Sequence, residues 1–338
     1  MHLVHMRAET YQVRKGRLGS HMHFRATQLL FHTAQYRAGE HNVANGGEAE
    51  DEEFHRTQRC GKLSGREWNS DRAMHAGRAT FAPMLIDTHA HLYHKQFDGD
   101  RETMLQRALE AGITKLFLPN IDHDSIEAMH ALCDAHPDRC FPMMGLHPCS
   151  VGEENGVAME EVERLLRSGR YCAVGEIGID LYWDKTWLEQ QKAVFRQHVR
   201  WAKELDLPIV IHCRESFDEL IGIVEDENSA GLRGVFHCFT GSAEQAQRVI
   251  ALGDFYLGIG GVITFPKGGV AETMAVVGPD HCVLETDAPY LAPVPYRGKR
   301  NESAYIPHVA TKLAEVTGRS VDEIARITTT NAETLFRR

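Results

Sequence analysis

The sequence predicts a (β/α)₈ TIM barrel, and three observations lead there. Short apolar runs alternate with amphipathic stretches, the alternating part has the length of one such barrel, and ionisable residues recur where the apolar runs end. Leaving out the first 83 of the 338 residues leaves 255 from Met84 onward, close to the roughly 250 typical of this fold.

Eight apolar runs read as strands: 85–89, 115–119, 141–146, 172–176, 209–212, 234–237, 255–258 and 282–286. Between them, 101–111, 125–135, 188–205, 216–224 and 243–251 carry helical spacing of apolar residues, with turn residues at most junctions. The stretches 307–317 and 321–335 read as closing helices. Strict alternation of strand and helix implies parallel strands joined by right-handed crossovers. A doubly wound open sheet shares that alternation, and the placement of polar residues separates the two.

Residues 1–83 stand apart from the barrel expected over 84–338. They hold eight of the 20 histidines, lack sustained periodicity and carry an acidic run from Glu48 to Glu53. They read as an N-terminal extension, disordered or extraneous, with no fold assigned. Early arginines fit a transit peptide, but the acidic run and the histidine excess oppose one. Gly19-Ser20-His21-Met22 resembles an expression scar, and Met84 is an alternative start.

At 43% apolar and 25% charged residues the chain can bury a full core. No apolar run reaches the ~18 residues of a membrane-spanning helix. The eight cysteines include no CxxC pair and mostly lie in apolar runs, as reduced core thiols do. The expected compartment is the cytoplasm, the expected state a monomer without a protein or membrane partner. A net charge of −10 opposes a protein that wraps duplex DNA with its whole surface. Contact with nucleic acid would be local, and a metal-lined pocket would supply local positive charge.

The chemistry gathers at the strand ends. In Asp87-Thr88-His89-Ala90-His91, His89 and His91 fall on one face of an extended chain. Glu176 ends the fourth run, His212 the fifth and His237 the sixth, while Glu285-Thr286-Asp287 closes the eighth. An ionisable group at the end of an apolar strand is costly to bury alone, whereas at the carboxyl rim of a barrel it faces a shared cavity. Four histidines and two carboxylates exceed the needs of one tetrahedral zinc and suit two divalent cations, with Mg, Mn and Zn all compatible. Glu176, from the central strand in chain order, is the natural bridge between them.

These motifs, with Gly145-Leu146-His147-Pro148, Gly175-Glu176-Ile177-Gly178-Ile179-Asp180, the stretch 208–214, His237-Cys238-Phe239-Thr240-Gly241 and Asp287-Ala288-Pro289-Tyr290-Leu291, closely resemble the TatD family of metal-dependent deoxyribonucleases. The likeness runs from Met84 to the end and implies an amidohydrolase-like TIM barrel. It implies that His89, His91 and Asp287 hold one metal, that His212 and His237 hold the second, and that Glu176 bridges. Hydroxide, accessible near neutral pH beside a cation, would be the nucleophile, with Asp287 taking the water's proton.

Further residues are candidates for substrate contact. Arg214 projects to the same side as His212 and carries a forked donor set suited to phosphate, or forms a rim salt bridge. His147 follows strand three. Asp180 and Tyr182 are expected in the loop after strand four, where Asp also serves ordinary turns. The basic loop 296–302, with Arg300 and Asn301, is the expected phosphate-tracking element. Where the family usually has Pro after Asn-Glu this chain has Ser303, which puts that loop's rigidity in question. The expected activity is metal-dependent 3′–5′ cleavage of DNA phosphodiesters, with DNA ends or single-stranded DNA as substrate. The alternatives are an amidohydrolase-type enzyme acting on a small ester, lactone or aminoacyl-tRNA ester, and a catalytically idle metal- or nucleic-acid-binding protein.

Overall fold

A computed structural model describes residues 84–229 and 231–337, and the expectations for residues 1–83 lie outside it. Eight strands follow in order: β1 Leu85–Asp87, β2 Ile113–Leu118, β3 Cys140–Pro142, β4 Val174–Asp180, β5 Ile209–Arg214, β6 Gly234–Phe236, β7 Phe255–Ile259 and β8 Cys282–Leu284. Each pairs in parallel with its neighbour in two arcs, β1-β2-β3 and β4 through β8. Parallel bridges Met144–Val174 and Ala90–Ala288 join the arcs, and the Thr88 N–H donates to the Leu284 carbonyl at 3.0 Å. These links close a barrel and exclude the open sheet.

Among the described residues, nine helices longer than a turn surround the strands: α1 Arg101–Glu110, α2 His123–Ala135, α3 Gly156–Leu166, α4 Leu188–Leu205, α5 Phe217–Glu227, α6 Ala243–Ala251, α7 Val270–Val277, α8 Ile306–Thr317 and α9 Val321–Phe336. The bounds expected for α4 and α6 match. The helices α3 and α7 were not expected; α7 has only eight residues and is followed at once by Gly278. Local chemistry sets several starts. Asp122 with Ser125, Ser242 with Gln245 and Ser320 with Glu323 form reciprocal caps at α2, α6 and α9. Among the described residues no helix is long and apolar enough to cross a membrane.

Period-two alternation divides the strand side chains into two layers. Leu116, Ile177, Ile179, Ile209, Ile211, Leu257 and Leu284 face outward and pack with helix residues such as Met104, Phe195 and Ile221. Ile86, Phe117, Met143, Val210, Val235 and Val283 fill the barrel floor, which Leu335 and Phe336 of α9 plug from below, Phe336 stacking on Phe117 at 4.1 Å. Two residues further along β5, β6 and β8, the same inward direction carries His212, His237 and Glu285. The barrel is thus apolar below and polar above.

Strand β4 corrects the sequence reading. It extends to Asp180, so Glu176 lies within the strand instead of ending it, and Asp180 is a strand residue instead of a loop residue. Gly178 is not a turn signal but a point of close approach. It sits at φ 148°, and a Cβ there would lie 2.0 Å from the His212 carbonyl oxygen.

Helix α4 buries His198 completely. Its Nδ1 donates to the Val194 carbonyl at 2.8 Å and its Nε2 accepts the Leu146 N–H at 3.3 Å, which ties the helix to the chain just before His147. Burial lowers its pKa from the usual 6.5 to about 4, so the folded protein resists its protonation while the unfolded chain accepts it. Its contribution to stability is therefore complete above pH 6.5 and is lost as the pH falls toward 4, about 3 kcal/mol at most. Urea midpoints measured across that range are expected to fall less steeply for His198→Gln than for the wild type; equal slopes would refute this assignment.

Candidate metal centre

The six residues expected as ligands meet in one cavity around Glu176. Its Oε2 lies 3.2 Å from His89 Nε2 and 3.5 Å from His91 Nε2. Its Oε1 lies 2.8 Å from His212 Nδ1, 2.9 Å from His237 Nε2 and 3.3 Å from His147 Nε2. Asp287 Oδ1 stands 3.8 Å from His89 Nε2 and 3.5 Å from His91 Nε2, so it joins the Oε2 side. One carboxylate therefore divides the histidines into two sets.

The donor set fits a metal. His89, His91 and Asp287 each offer a ligand atom within 4.8 Å of the others, as do His147, Glu176 and His212. His89 is fully buried, yet neither ring nitrogen has a hydrogen-bond partner among the described residues. Buried polar atoms in native proteins are normally satisfied, and a cation would satisfy His89 Nε2.

Hydrogen bonds fix which nitrogens are available. The Tyr93 hydroxyl donates to the Pro119 carbonyl at 2.6 Å, so it must accept from His91 Nδ1 at 2.9 Å, and the neutral ring that a cation would require keeps its lone pair on Nε2. Asp180 Oδ2 accepts from His212 Nε2 at 2.9 Å and frees Nδ1 to face Glu176. His147 is arranged oppositely. Its Nδ1 accepts the Cys149 N–H at 3.1 Å, which places the proton of the neutral ring on Nε2. His147 is thus a donor toward the centre.

Burial alone would raise the Glu176 pKa, but His237, His147 and His89 outweigh it and hold the carboxyl well below its usual range. Burial would likewise lower His91, yet Asp287 and Glu176 raise it to about 9. Asp180, against its own burial, is held at about 2 by His212, His147 and Arg214.

The loop after β8 places Asp287, whose backbone takes a left-handed φ of 55°. Its N–H donates to the His89 carbonyl at 2.9 Å. Buried Asn301 donates from one amide to the Thr286 and Tyr290 carbonyls at 2.8 and 2.7 Å. Ser303 Oγ donates to Asp87 Oδ2 at 2.6 Å, and Asp87 also accepts from the Thr286 N–H and hydroxyl. Ser303 therefore fastens this loop to the end of β1.

The remaining candidates separate. Arg214 lies with its guanidinium 3.9 Å from the centre of the Tyr182 ring and 5.4 Å from that of Trp183. Asp180 Oδ1 accepts the N–H groups of Tyr182 and Trp183, so this aromatic pair adjoins the His212–Asp180 contact. Arg300 is not brought to the centre. Both its terminal nitrogens bind Asp100, one also bonds the Gln96 carbonyl, and the group stacks on Phe97 at 4.4 Å. Three of its five N–H donors are committed within the fold and Asn301 is wholly internal, so the structure does not bring these two residues to the centre, as the expectation that they track phosphate required. Sequence reasoning missed Tyr93, which holds His91 two residues away and bonds Pro119, and Asp87, whose partners Thr286 and Ser303 lie far along the chain.

Comparison with known proteins places the chain. The family described as TatD related DNase matches residues 86–337. The chain belongs to the TatD family. It is 36% identical over 255 residues to YabD of Bacillus subtilis, named an uncharacterized metal-dependent hydrolase, covering 75% of this chain and 99% of that protein. It is 32% identical over 258 residues to a protein of Erwinia tasmaniensis named 3′-5′ ssDNA/RNA exonuclease TatD, covering 75% of this chain and 99% of that one. Among solved structures, the TatD homolog YjjV of Escherichia coli superposes with a TM-score of 0.72 at 32% identity, over 76% of this chain and 100% of that one. This TatD-family chain is a metal-dependent hydrolase.

Cation loading is therefore expected to stabilise the fold. Manganese or zinc at about 100 times its dissociation constant is expected to add about 2.7 kcal/mol, a rise of roughly 5–10 °C in Tm for a barrel of this size. Calorimetry of the wild type and Glu176→Ala checks this, since the variant is expected to lose the rise; an equal rise in both would refute Glu176 as the shared ligand.

Proposed function

We propose that this chain hydrolyses DNA phosphodiester bonds from a 3′ end, with two divalent cations held about Glu176. The observation that carries this reading is the division of Glu176, one carboxylate oxygen turned to His89 and His91 and the other to His212 and His237. His89, His91 and Asp287 would hold one cation, His212 and His237 the second, and Glu176 both. When bound, the pair supplies Lewis acidity that offsets phosphate charge and brings the pKa of water toward neutrality. The name of the Erwinia relative supports a nucleic-acid substrate, and the net charge of −10 favours gripping a strand end over wrapping a duplex.

The chain's own groups divide the remaining work. The Asp287 side chain, 17% exposed against 3% for Glu176, is the more accessible carboxylate and takes the proton of the attacking water. That water's oxygen bonds to phosphorus, the bond from phosphorus to the 3′ oxygen breaks, and the proton returns to the leaving oxygen. His147 Nε2–H donates to a phosphate oxygen. Arg214 presents its N–H edge to the phosphate while its face rests on Tyr182, and Tyr182 and Trp183 offer rings for a terminal base.

End-labelled single-stranded DNA is expected to be shortened stepwise from its 3′ end in Mg²⁺ or Mn²⁺, and to stay intact with EDTA or with Glu176→Ala. Intact DNA under all cation conditions, while small ester or lactone probes turn over, would overturn the assignment of substrate. In steady-state assays Arg214→Ala is expected to raise KM for DNA about 10–100-fold, the loss of one charged hydrogen bond. Arg300→Ala is expected to lower Tm and leave KM unchanged; the reverse pattern would return phosphate binding to the loop after β8.

A further inference from the structure

We infer that Glu285 is a positioning residue that accepts the Nδ1 protons of both His89 and His237, and so fixes the two imidazoles that link the halves of the centre. This rests on the metal-centre reading above, and not on the choice of DNA as substrate. A neutral imidazole that ligates through one nitrogen carries its single proton on the other, and a buried proton donor needs an acceptor. His91 has the Tyr93 hydroxyl for this purpose and His212 has Asp180. His89 and His237 turn Nε2 to Glu176, and the Nδ1 atoms of both are buried without a hydrogen-bond partner among the described residues.

The geometry leads to one acceptor. The His89 and His237 rings stack with centroids 3.9 Å apart and planes within 10°. Each offers a nitrogen within 4.8 Å of a Glu285 carboxylate oxygen and of the other ring. Glu285 is 1% exposed, and its Oε1 accepts the Cys238 N–H and lies 3.6 Å from His237 Nδ1, in ion-pair range but beyond hydrogen-bond length. Its Oε2 is buried without a hydrogen-bond partner among the described residues. Two unpaired nitrogens and one unpaired oxygen thus share a pocket. Gly258 makes room for the carboxylate, because a Cβ there would lie 2.3 Å from Oε2.

Glu285 differs from the ligands in direction. It projects from β8 below Asp287, behind the imidazoles, while Glu176 stands in front of them. Three N–H donors converge on its two oxygens: Cys238 N–H, His89 Nδ1–H and His237 Nδ1–H. A carboxylate can serve all three, whereas an amide has one acceptor atom and brings two hydrogens of its own.

The test uses zinc, the full chain and ¹⁵N-labelled histidine. In the zinc-loaded wild type, His89 and His237 are expected as Nδ1-protonated tautomers with strongly downfield Nδ1–H resonances. Glu285→Gln is expected to move those two resonances upfield, leave those of His91 and His212 in place, and weaken zinc binding in equilibrium dialysis about 10–100-fold. Glu285→Asp, which keeps the charge, is expected to recover part of that affinity, and metal-free melting temperatures separate the effect from misfolding. Unchanged resonances and affinity in Glu285→Gln would overturn the inference. So would a third equivalent of zinc in the wild type that Glu285→Gln loses, since Glu285 would then be a ligand. A wild type that binds no zinc would instead overturn the metal-centre reading, and Glu285's role with it.

Discussion

The charge of Glu176, on a side chain 3% exposed, must be answered inside the barrel, and the arrangement of the centre follows from that requirement. Five imidazoles approach its two oxygens. They come from the ends of β1, β3, β5 and β6, segments far apart in the chain, and only a closed cylinder brings all of them to one strand. The bridge between Ala90 and Ala288 has a second consequence, because it sets Asp287 beside the two histidines that follow β1. Closure of the fold and assembly of the centre are thus one event.

A polar cluster of this density is stable only on a rigid base. The barrel floor supplies it: Ile86, Phe117, Val210, Val235 and Val283 are each at most 3% exposed, and the end of α9 seals them from below. Above, partners lock each ring. Tyr93 orients His91, Asp180 orients His212, and the Cys149 N–H orients His147. Asp87 makes the corresponding tie in the backbone, holding Thr286 and Ser303 to β1. Burial raises its pKa to about 7 although Ser303 and Thr286 oppose the shift, so near neutral pH it adds only part of a charge to the cluster.

Much of this was legible in the sequence, for a physical reason. The candidate ligands lie on or just past strands whose apolar residues alternate, so His89 with His91, and His212 two residues beyond Val210, announce their direction by spacing alone. The expected end of strand β4 at Glu176 falls short because Asp180, after Gly178, reads as ordinary turn chemistry, and a glycine that admits a neighbouring carbonyl looks the same in sequence as one that bends the chain. The loop after β8 was misjudged for a different reason. Its charges were counted as free, but Arg300 closes on Asp100, and Glu302 on Arg107 of α1. Partners some 200 residues away leave no local signature. Nor did the exchange of Pro for Ser303 loosen the loop, since the hydroxyl supplies a hydrogen bond that proline lacks.

The contrast between Arg214 and Arg300 shows what makes a basic residue available to an anion. Arg300 has its nitrogens on a carboxylate and a carbonyl, so a phosphate would have to displace bonds already made. Arg214 makes no side-chain hydrogen bond or ion pair among the described residues, and is held instead by its face against Tyr182. Stacking fixes the plane of a guanidinium without consuming its in-plane donors. On the proposed function, Glu176, Asp180, Glu285 and Asp287 would offset two dications, and an arriving phosphodiester would be matched by Arg214 and by the His147 N–H. In a chain of net charge −10, recognition on that proposal would depend on a few donors kept unspent beside the centre, and not on the sum of charge over the surface.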